Sequence, residues 1–411
     1  MQLVFLLLEF LGMGIVLGIV MFMSLVLLHE LGHFITAKKS GVKVLEFGIG
    51  IPPKICKLRT DKSGTVYTLN LLPLGGFVKL KGEDPNNHED FHAKNSFITA
   101  KLRKKIIILV AGVGMNFLVA RALFSFIFWQ GTKPISLLPE NAFRADSHSY
   151  LIPTFSFLEK EGFTSGSLSA LPAKVSEVLP QNIASDMGIK PGDTILAING
   201  EKINVINIGM VLRERIGKSL EISYKRGKKT LIGSGMCAEE DCILGVSFNI
   251  GNDVSIKQIK FPLGRAIVAG LQEIGAETKL TLNALGTLGS NLLSFNKNKI
   301  KTALSKLTGP VGAVKLGETL LKEGGWKLYL GFAGLISLAL AIFNVIPLPA
   351  LDGGRLLGVL IQGIGRLKPE KYFTIENYIN IIFFILLMTL GVYIILTDLI
   401  RFWGVHIPFL S

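Results

Sequence analysis

Leu25-Val26-Leu27-Leu28-His29-Glu30-Leu31-Gly32-His33-Phe34-Ile35 closes an apolar run that begins near Leu3, and its composition decides the fold. Apart from Glu9, nothing charged precedes Glu30 in this run. About 20 apolar residues cross the hydrocarbon core of a bilayer, so the run is long enough to span. It has no basic N-terminal region and outlasts the core of a signal peptide. An uncleaved membrane helix is expected. Ionisable groups inside a span are costly and tend to be functional. Residues four apart lie one above the other on a helix, so His29 and His33 can grip one metal ion. Glu30 stands beside them as a general base. H-E-x-x-H arises by chance in soluble helices, but chance explains it poorly within a span.

The rest of the chain supports a membrane setting. It has 411 residues, a mean hydropathy of +0.48, 49% hydrophobic residues and 18% charged residues. Ordinary soluble domains carry about 25% charged residues. A soluble globule, a disordered chain and a fibre are all excluded. Further apolar runs cover Ile106–Trp129, Leu328–Val345 and Ile379–Thr397. The expected fold class is therefore membrane α-helical with four transmembrane helices. The net charge of +14 is no argument for nucleic acid, because Lys and Arg also gather beside cytoplasmic membrane surfaces. Three cysteines are too few for a disulfide scaffold.

Charge also sets the orientation. Lys38, Lys39, Lys43, Lys54, Lys57, Arg59, Lys62, Lys101, Arg103, Lys104 and Lys105 lie between spans one and two. Arg355, Arg366, Lys368 and Lys371 lie between spans three and four. The positive-inside rule puts both loops in the cytoplasm and the N-terminus and residues 131–326 outside.

A catalytic zinc usually has three protein ligands and one open position. Glu9 is about 30 Å up the same helix. Asp398, His148 and His406 fall on the outer side, and His88 and His92 sit in a hydrophilic loop that reads as solvated surface. Asp352 remains, at the end of Asn344-Val-Ile-Pro347-Leu-Pro349-Ala-Leu-Asp352-Gly353-Gly354. Spans one and three run the same way, so the histidines and Asp352 share a side. The prolines and glycines break the helix there, and broken backbone at membrane depth needs a protein-lined or wet cavity. The plainer alternative for Asp352 is a turn residue at a helix end.

At these residues the chain resembles the site-2 protease family of intramembrane zinc metalloproteases, in its bacterial RseP-like branch. The resemblance takes in His29–Phe34, Phe47–Gly50, Leu72–Lys79, Gly112–Asn116, Thr308–Gly312 and Asn344–Gly354. It implies Zn2+ as cofactor, His29, His33 and Asp352 as its ligands, and Glu30 as catalytic base. It further implies that Asn116 and Asn344 hold substrate or the developing oxyanion. An interhelical hydrogen bond is the alternative for Asn116. The stretch Thr65–Lys81 reads as two short strands around a Pro/Gly turn. The resemblance implies a membrane-dipping hairpin, with Gly75 and Gly76 at its substrate-binding end, whose edge pairs with the unwound substrate. An ordinary cytoplasmic hairpin is the alternative.

Residues 174–204 contain Pro191-Gly192-Asp193, an alternating strand and the turn Asn199-Gly200. They look like a bacterial, circularly permuted PDZ domain, a mainly-β module. Ile243-Leu244-Gly245-Val246 is a candidate carboxylate-binding loop or simply the start of a strand. Cys237 and Cys242 are either a short-loop disulfide or two free thiols. Only one PDZ signature is visible, whereas many RseP-like proteins carry two.

The expected layout is span one with H-E-x-x-H (1–36), a cytoplasmic hairpin loop (37–104), span two (105–130) and an outer PDZ domain (131–254). Outer juxtamembrane helices (255–326), span three (327–350), the Asp-Gly-Gly loop (351–377), span four (378–399) and a tail (400–411) complete it. The expected protein is an intramembrane zinc endopeptidase of a bacterial cytoplasmic membrane. Its partners would be the lipid bilayer, single-span substrates already trimmed by another protease, and a peptide terminus at the PDZ module. Anti-sigma factors and remnant signal peptides are the substrate classes the resemblance implies. A catalytically silent scaffold would have no use for Glu30, and a metal transporter would spread its polar residues through the bilayer.

Overall fold

The computed structural model describes residues 13–403 apart from 84–91, 139–147, 166–171, 180–181, 206, 238–241, 243, 249–254, 295, 297–299, 301–306, 366 and 368. Glu9, His88, Ile243 and His406 therefore lie outside the described residues. Two compact units are present, one of residues 131–260 and one formed by everything before and after it.

The first unit opens with helix α1, Met13–Ser40. Lys38 and Lys39 lie in its last turn, where cations suit the helix dipole. Gly41 ends it with φ +79°. Val42 N–H donates to Ala37 O and Gly41 N–H to Lys38 O, a pair of bonds that satisfies the last carbonyls. Strands β1 (Val44–Thr60) and β2 (Val66–Leu80) follow. They pair antiparallel, with Val44–Ile49 against Gly76–Leu80 and Lys54–Thr60 against Val66–Asn70. Helix α2, Leu102–Gln130, comes next.

The second unit holds α3 (Phe155–Lys160), β3 (Thr164–Ser165), β4 (Ala173–Val178), α4 (Ile183–Asp186), β5 (Thr194–Ile198) and β6 (Glu201–Lys202). It continues with α5 (Ile208–Arg213), β7 (Ser219–Arg226), β8 (Lys229–Met236), β9 (Val246–Phe248) and β10 (Ser255–Ile256). The main sheet has the order β8-β7-β5-β4-β9, with β6 paired to β5, and β10 pairs with β3. Ile195, Ile198, Val211, Leu220 and Ile222 are buried at its centre. Asn199 and Gly200 form the tight β5–β6 turn with positive φ at both residues. Cys237 and Cys242 form a disulfide, which settles the pairing that the sequence leaves open.

Asp193 is the polar anchor of this unit. Its side chain is 2% exposed. It accepts bonds from Lys190 N–H (2.8 Å) and from Arg226 Nε (2.9 Å) and Nη2 (2.7 Å). The Arg226 guanidinium beside it, together with the Lys190 N–H, holds its carboxyl below the usual range. A carboxylate with a depressed folded-state pKa stabilises the fold above its unfolded value of about 3.9 and stops doing so as pH falls through that value toward the folded one. Asp193→Asn is expected to cost this unit roughly 2 kcal/mol at neutral pH, since hydrogen bonds to charged groups carry that order of energy. The loss should shrink toward zero in acid, as followed by thermal unfolding at several pH values.

The chain then returns to the first unit with α6 (Leu263–Leu293), α7 (Pro310–Val345), α8 (Asp352–Ile364) and α9 (Pro369–Trp403). Among the described residues, four helices are long and apolar enough to cross a membrane: Gly14–Ser40, Leu102–Gln130, Pro310–Val345 and Ile375–Ile400. The buried Asp398 of α9 accepts from Gly309 N–H (2.9 Å) and Gly312 N–H (2.8 Å), so it caps the start of α7.

The sequence reading puts the third span at 327–350. Helix α7 breaks at Gly325 (φ +70°), its second half begins at the expected place and ends at Val345, and a further helical stretch from Pro310 precedes the break. Charges in the first half of α7 lower its hydropathy and hide it. They are neutralised locally, with Lys315 and Lys322 both paired to Glu318 at 3.1 and 2.6 Å. The expected juxtamembrane helices include α6, which runs back along α2. Phe261 N–H donates to Phe128 O (2.9 Å), and Gly270 lies against Ser125 and the Arg121 carbonyl. Of its apolar residues at helical spacing, Ile267, Leu271 and Leu282 are exposed, and Ile274 and Leu285 are half-buried. Its buried face carries Ala266, Ala269, Gly270, Glu273, Ala276, Glu277 and Leu280. Glu273 and Glu277 are thus buried, while Arg265, Gln272 and Lys279 share the exposed face with the apolar residues.

Candidate metal centre

Helix α1 supplies His29 and His33 from one face, four residues apart. The third group arrives from a break in the chain. Pro347 and Pro349 cannot continue α7, and Ala350 takes a left-handed conformation with φ +70°. Helix α8 then starts at Asp352. The consequence is a carboxylate aimed at two imidazoles. His29 Nε2 lies 2.9 Å and His33 Nε2 3.2 Å from Asp352 Oδ2, and the two Nε2 atoms are 3.1 Å apart. His29 and His33 are 6% and 8% exposed. One ligand atom from each of the three residues falls within 4.8 Å of the others.

Small residues make this approach possible. A Cβ on Gly32 would strike the Ala111 carbonyl oxygen, and one on Gly112 would strike His33 Nε2. Helices α1 and α2 therefore touch backbone to backbone at the histidines. On the far side of the rings, α2 provides the orienting partners. His33 Nδ1 donates to Ile108 O at 2.8 Å. Only an N–H can donate to a carbonyl, so this bond leaves the Nε2 lone pair facing inward. Asn116 is 0% exposed, and its Nδ2 donates to His29 Nδ1 at 3.3 Å. Ser337 Oγ donates to Asn116 O at 3.0 Å and ties α7 to the same point.

These residues fit a zinc ion by two observations. Tetrahedral zinc with bonds of about 2.0–2.1 Å separates its ligand atoms by roughly 3.3 Å, close to the spacings given above. Asn116 Oδ1 is buried without a hydrogen-bond partner. Turning the amide end for end places this oxygen on His29 Nδ1, where it accepts the ring N–H, and frees His29 Nε2 for the metal. The metal-ready tautomer thus satisfies the orphaned oxygen, as outer partners of metal-bound histidine ordinarily do.

The other sequence-named residues take distinct places. Glu30 is half-buried beside His29. Asn344 is half-buried in the last turn of α7 and lies outside the three-residue cluster. Gly75 and Gly76 lie against Val26 and Leu27 of α1, about one turn before His29. Ile55, Leu58 and Leu71 of the hairpin are exposed. Glu83, just beyond β2, pairs with Arg355 of α8. Ile108 and Ser337 were missed from sequence. A backbone carbonyl leaves no mark there, whereas a serine inside an apolar run was a signal available to be used.

Comparison with known proteins adds an independent line. The model of "Peptidase family M50" matches residues 17–390. The chain is 29% identical over 423 residues to the "Regulator of sigma-W protease RasP" of Bacillus subtilis, covering 90% of this chain and 95% of the relative. It is 28% identical over 428 residues to the "Zinc metalloprotease RasP" of Geobacillus kaustophilus, covering 94% and 97%.

Proposed function

The chain belongs to peptidase family M50, the site-2 protease family of membrane zinc metalloproteases, and from that premise we propose that it cuts single-span membrane proteins at a zinc centre held by His29, His33 and Asp352. The observation that carries the site is the convergence of three ligand atoms from two separate stretches of chain within 4.8 Å. Zinc, when bound, supplies Lewis acidity to the scissile carbonyl. Glu30 takes the proton of the attacking water on a carboxylate oxygen and passes it to the leaving amine nitrogen as the C–N bond breaks. Asn116, wholly buried behind His29, orients that ligand and offers no exposed atom to a substrate. Asn344 is the amide available to hold substrate or the developing oxyanion, as a neutral donor with little to reorganise.

A helical substrate hides its carbonyls in i→i−4 bonds and must unwind first. We assign that task to the β1–β2 hairpin. Its Gly75–Gly76 end packs on α1 close to His29, and its exposed apolar side chains suit immersion in lipid. An unwound substrate strand would add to its edge by backbone pairing. We propose that the N-terminus and the unit of residues 131–260 lie outside the cytoplasm, a reading supported by the loop charges and by the disulfide, since disulfides persist in oxidising compartments. That unit, with its β4–α4–β5 order and Asn-Gly turn, is proposed to be a PDZ module that admits trimmed substrates and excludes bulky ones.

The test is reconstitution in lipid vesicles with one single-span substrate in two forms, with its outer domain intact and with it removed. The trimmed form should be cut inside or beside its membrane segment, and a chelator should stop the reaction until zinc is restored. Cleavage confined to soluble loops, or undiminished by the chelator, would contradict the proposal.

A further inference from the structure

The turn that delivers Asp352 is strained. Ala350 has φ +70°, a left-handed conformation that disfavours a residue with a side chain. Its N–H donates to Asn380 Oδ1 of α9 at 3.0 Å. Asn380 is half-buried and lies in the fourth apolar span, Ile375–Ile400. A polar amide in an apolar span needs a reason. Ala350 and Asn380 both line a cavity of about 300 Å3 that also includes Arg355, Glu376 and Asn377. Water entering such a polar cavity can satisfy a bare N–H, so hydrogen-bond satisfaction alone does not require Asn380. Water cannot fix the turn to α9.

We propose that Asn380 is a positioning residue, which clamps the left-handed Ala350 turn so that Asp352 meets His29 and His33. The inference rests on the zinc site proposed above. Asn380 holds the Ala350 N–H, and it acts through Leu351, the single residue between Ala350 and the start of α8 at Asp352. With the clamp gone, Ala350 relaxes toward an ordinary negative φ, and the carboxylate drifts from the histidines. Outer partners of metal ligands commonly change affinity by about 10- to 100-fold, and an effect of at least the lower figure is expected here.

The experiment uses the full chain in detergent and follows zinc loss to a chelator, with thermal unfolding measured beside it. Asn380→Leu should release zinc about 10-fold faster than the native protein while its unfolding midpoint stays near native. Asn380→Asp keeps an acceptor oxygen and should retain zinc. Ala350→Gly in the Asn380→Leu background removes the cost of the left-handed turn and should recover part of the retention. A merely structural role would not respond to that second change. Native zinc retention in Asn380→Leu overturns the inference alone, as does a loss that Ala350→Gly fails to relieve. A native protein that binds no zinc overturns the site and this inference together.

Discussion

Glu30→Gln is expected to eliminate peptide hydrolysis while leaving zinc bound and the fold intact. Glutamine has nearly the same shape and can hold a water by hydrogen bonds, but it cannot accept the proton that attack releases. General acid–base catalysis contributes about 100- to 10,000-fold, and here one carboxylate serves both proton transfers, so the upper end is expected. His29, His33 and Asp352 keep their contacts in this variant, since none of the hydrogen bonds that orient the histidines involves Glu30. Cleavage of a membrane substrate, zinc content and thermal unfolding measured on the same preparation give the answer. Hydrolysis at the native rate by zinc-loaded Glu30→Gln would exclude Glu30 as the base.

Asp352→Asn is expected to have the second-largest effect, and it acts on the metal. Asp352 is the one anionic group of the three-residue cluster, and the two imidazoles bind zinc in their neutral form. An amide in its place retains the size but removes the charge that balances a divalent cation in a poorly solvated site. Zinc content after equilibration with a chelator should fall well below that of Glu30→Gln, and hydrolysis should fall with it. Excess zinc should restore part of both. Unchanged stoichiometry would remove Asp352 from the ligand set.

How much of this was legible from sequence follows from where each signal resides. Hydropathy reveals spans whose whole circumference is apolar, which is why α1, α2 and the second half of α7 stand out. It is weaker for α6, where Glu273 and Glu277 are buried, and for the first half of α7, where Lys315 and Lys322 pair with Glu318. His29, Glu30 and His33 are visible because their chemistry has a fixed helical spacing. Asp352 has no local spacing to mark it, since 319 residues separate it from His33, and it is reached by eliminating other candidates, by the shared direction of spans one and three and by the resemblance of Asn344–Gly354. The orienting contacts were beyond reach for a different reason. A carbonyl such as that of Ile108 is common to every residue, and the left-handed turn falls on alanine, a residue that does not advertise it.

The claim on which the rest depends is that two imidazoles and one carboxylate, brought together from α1 and the start of α8, hold a single zinc ion. X-ray absorption at the zinc edge of the purified native protein tests it most directly. One zinc per chain with two imidazole nitrogens and oxygen in its coordination shell is the predicted result. Absence of zinc from a cleavage-competent preparation, or a sulfur ligand, would contradict it.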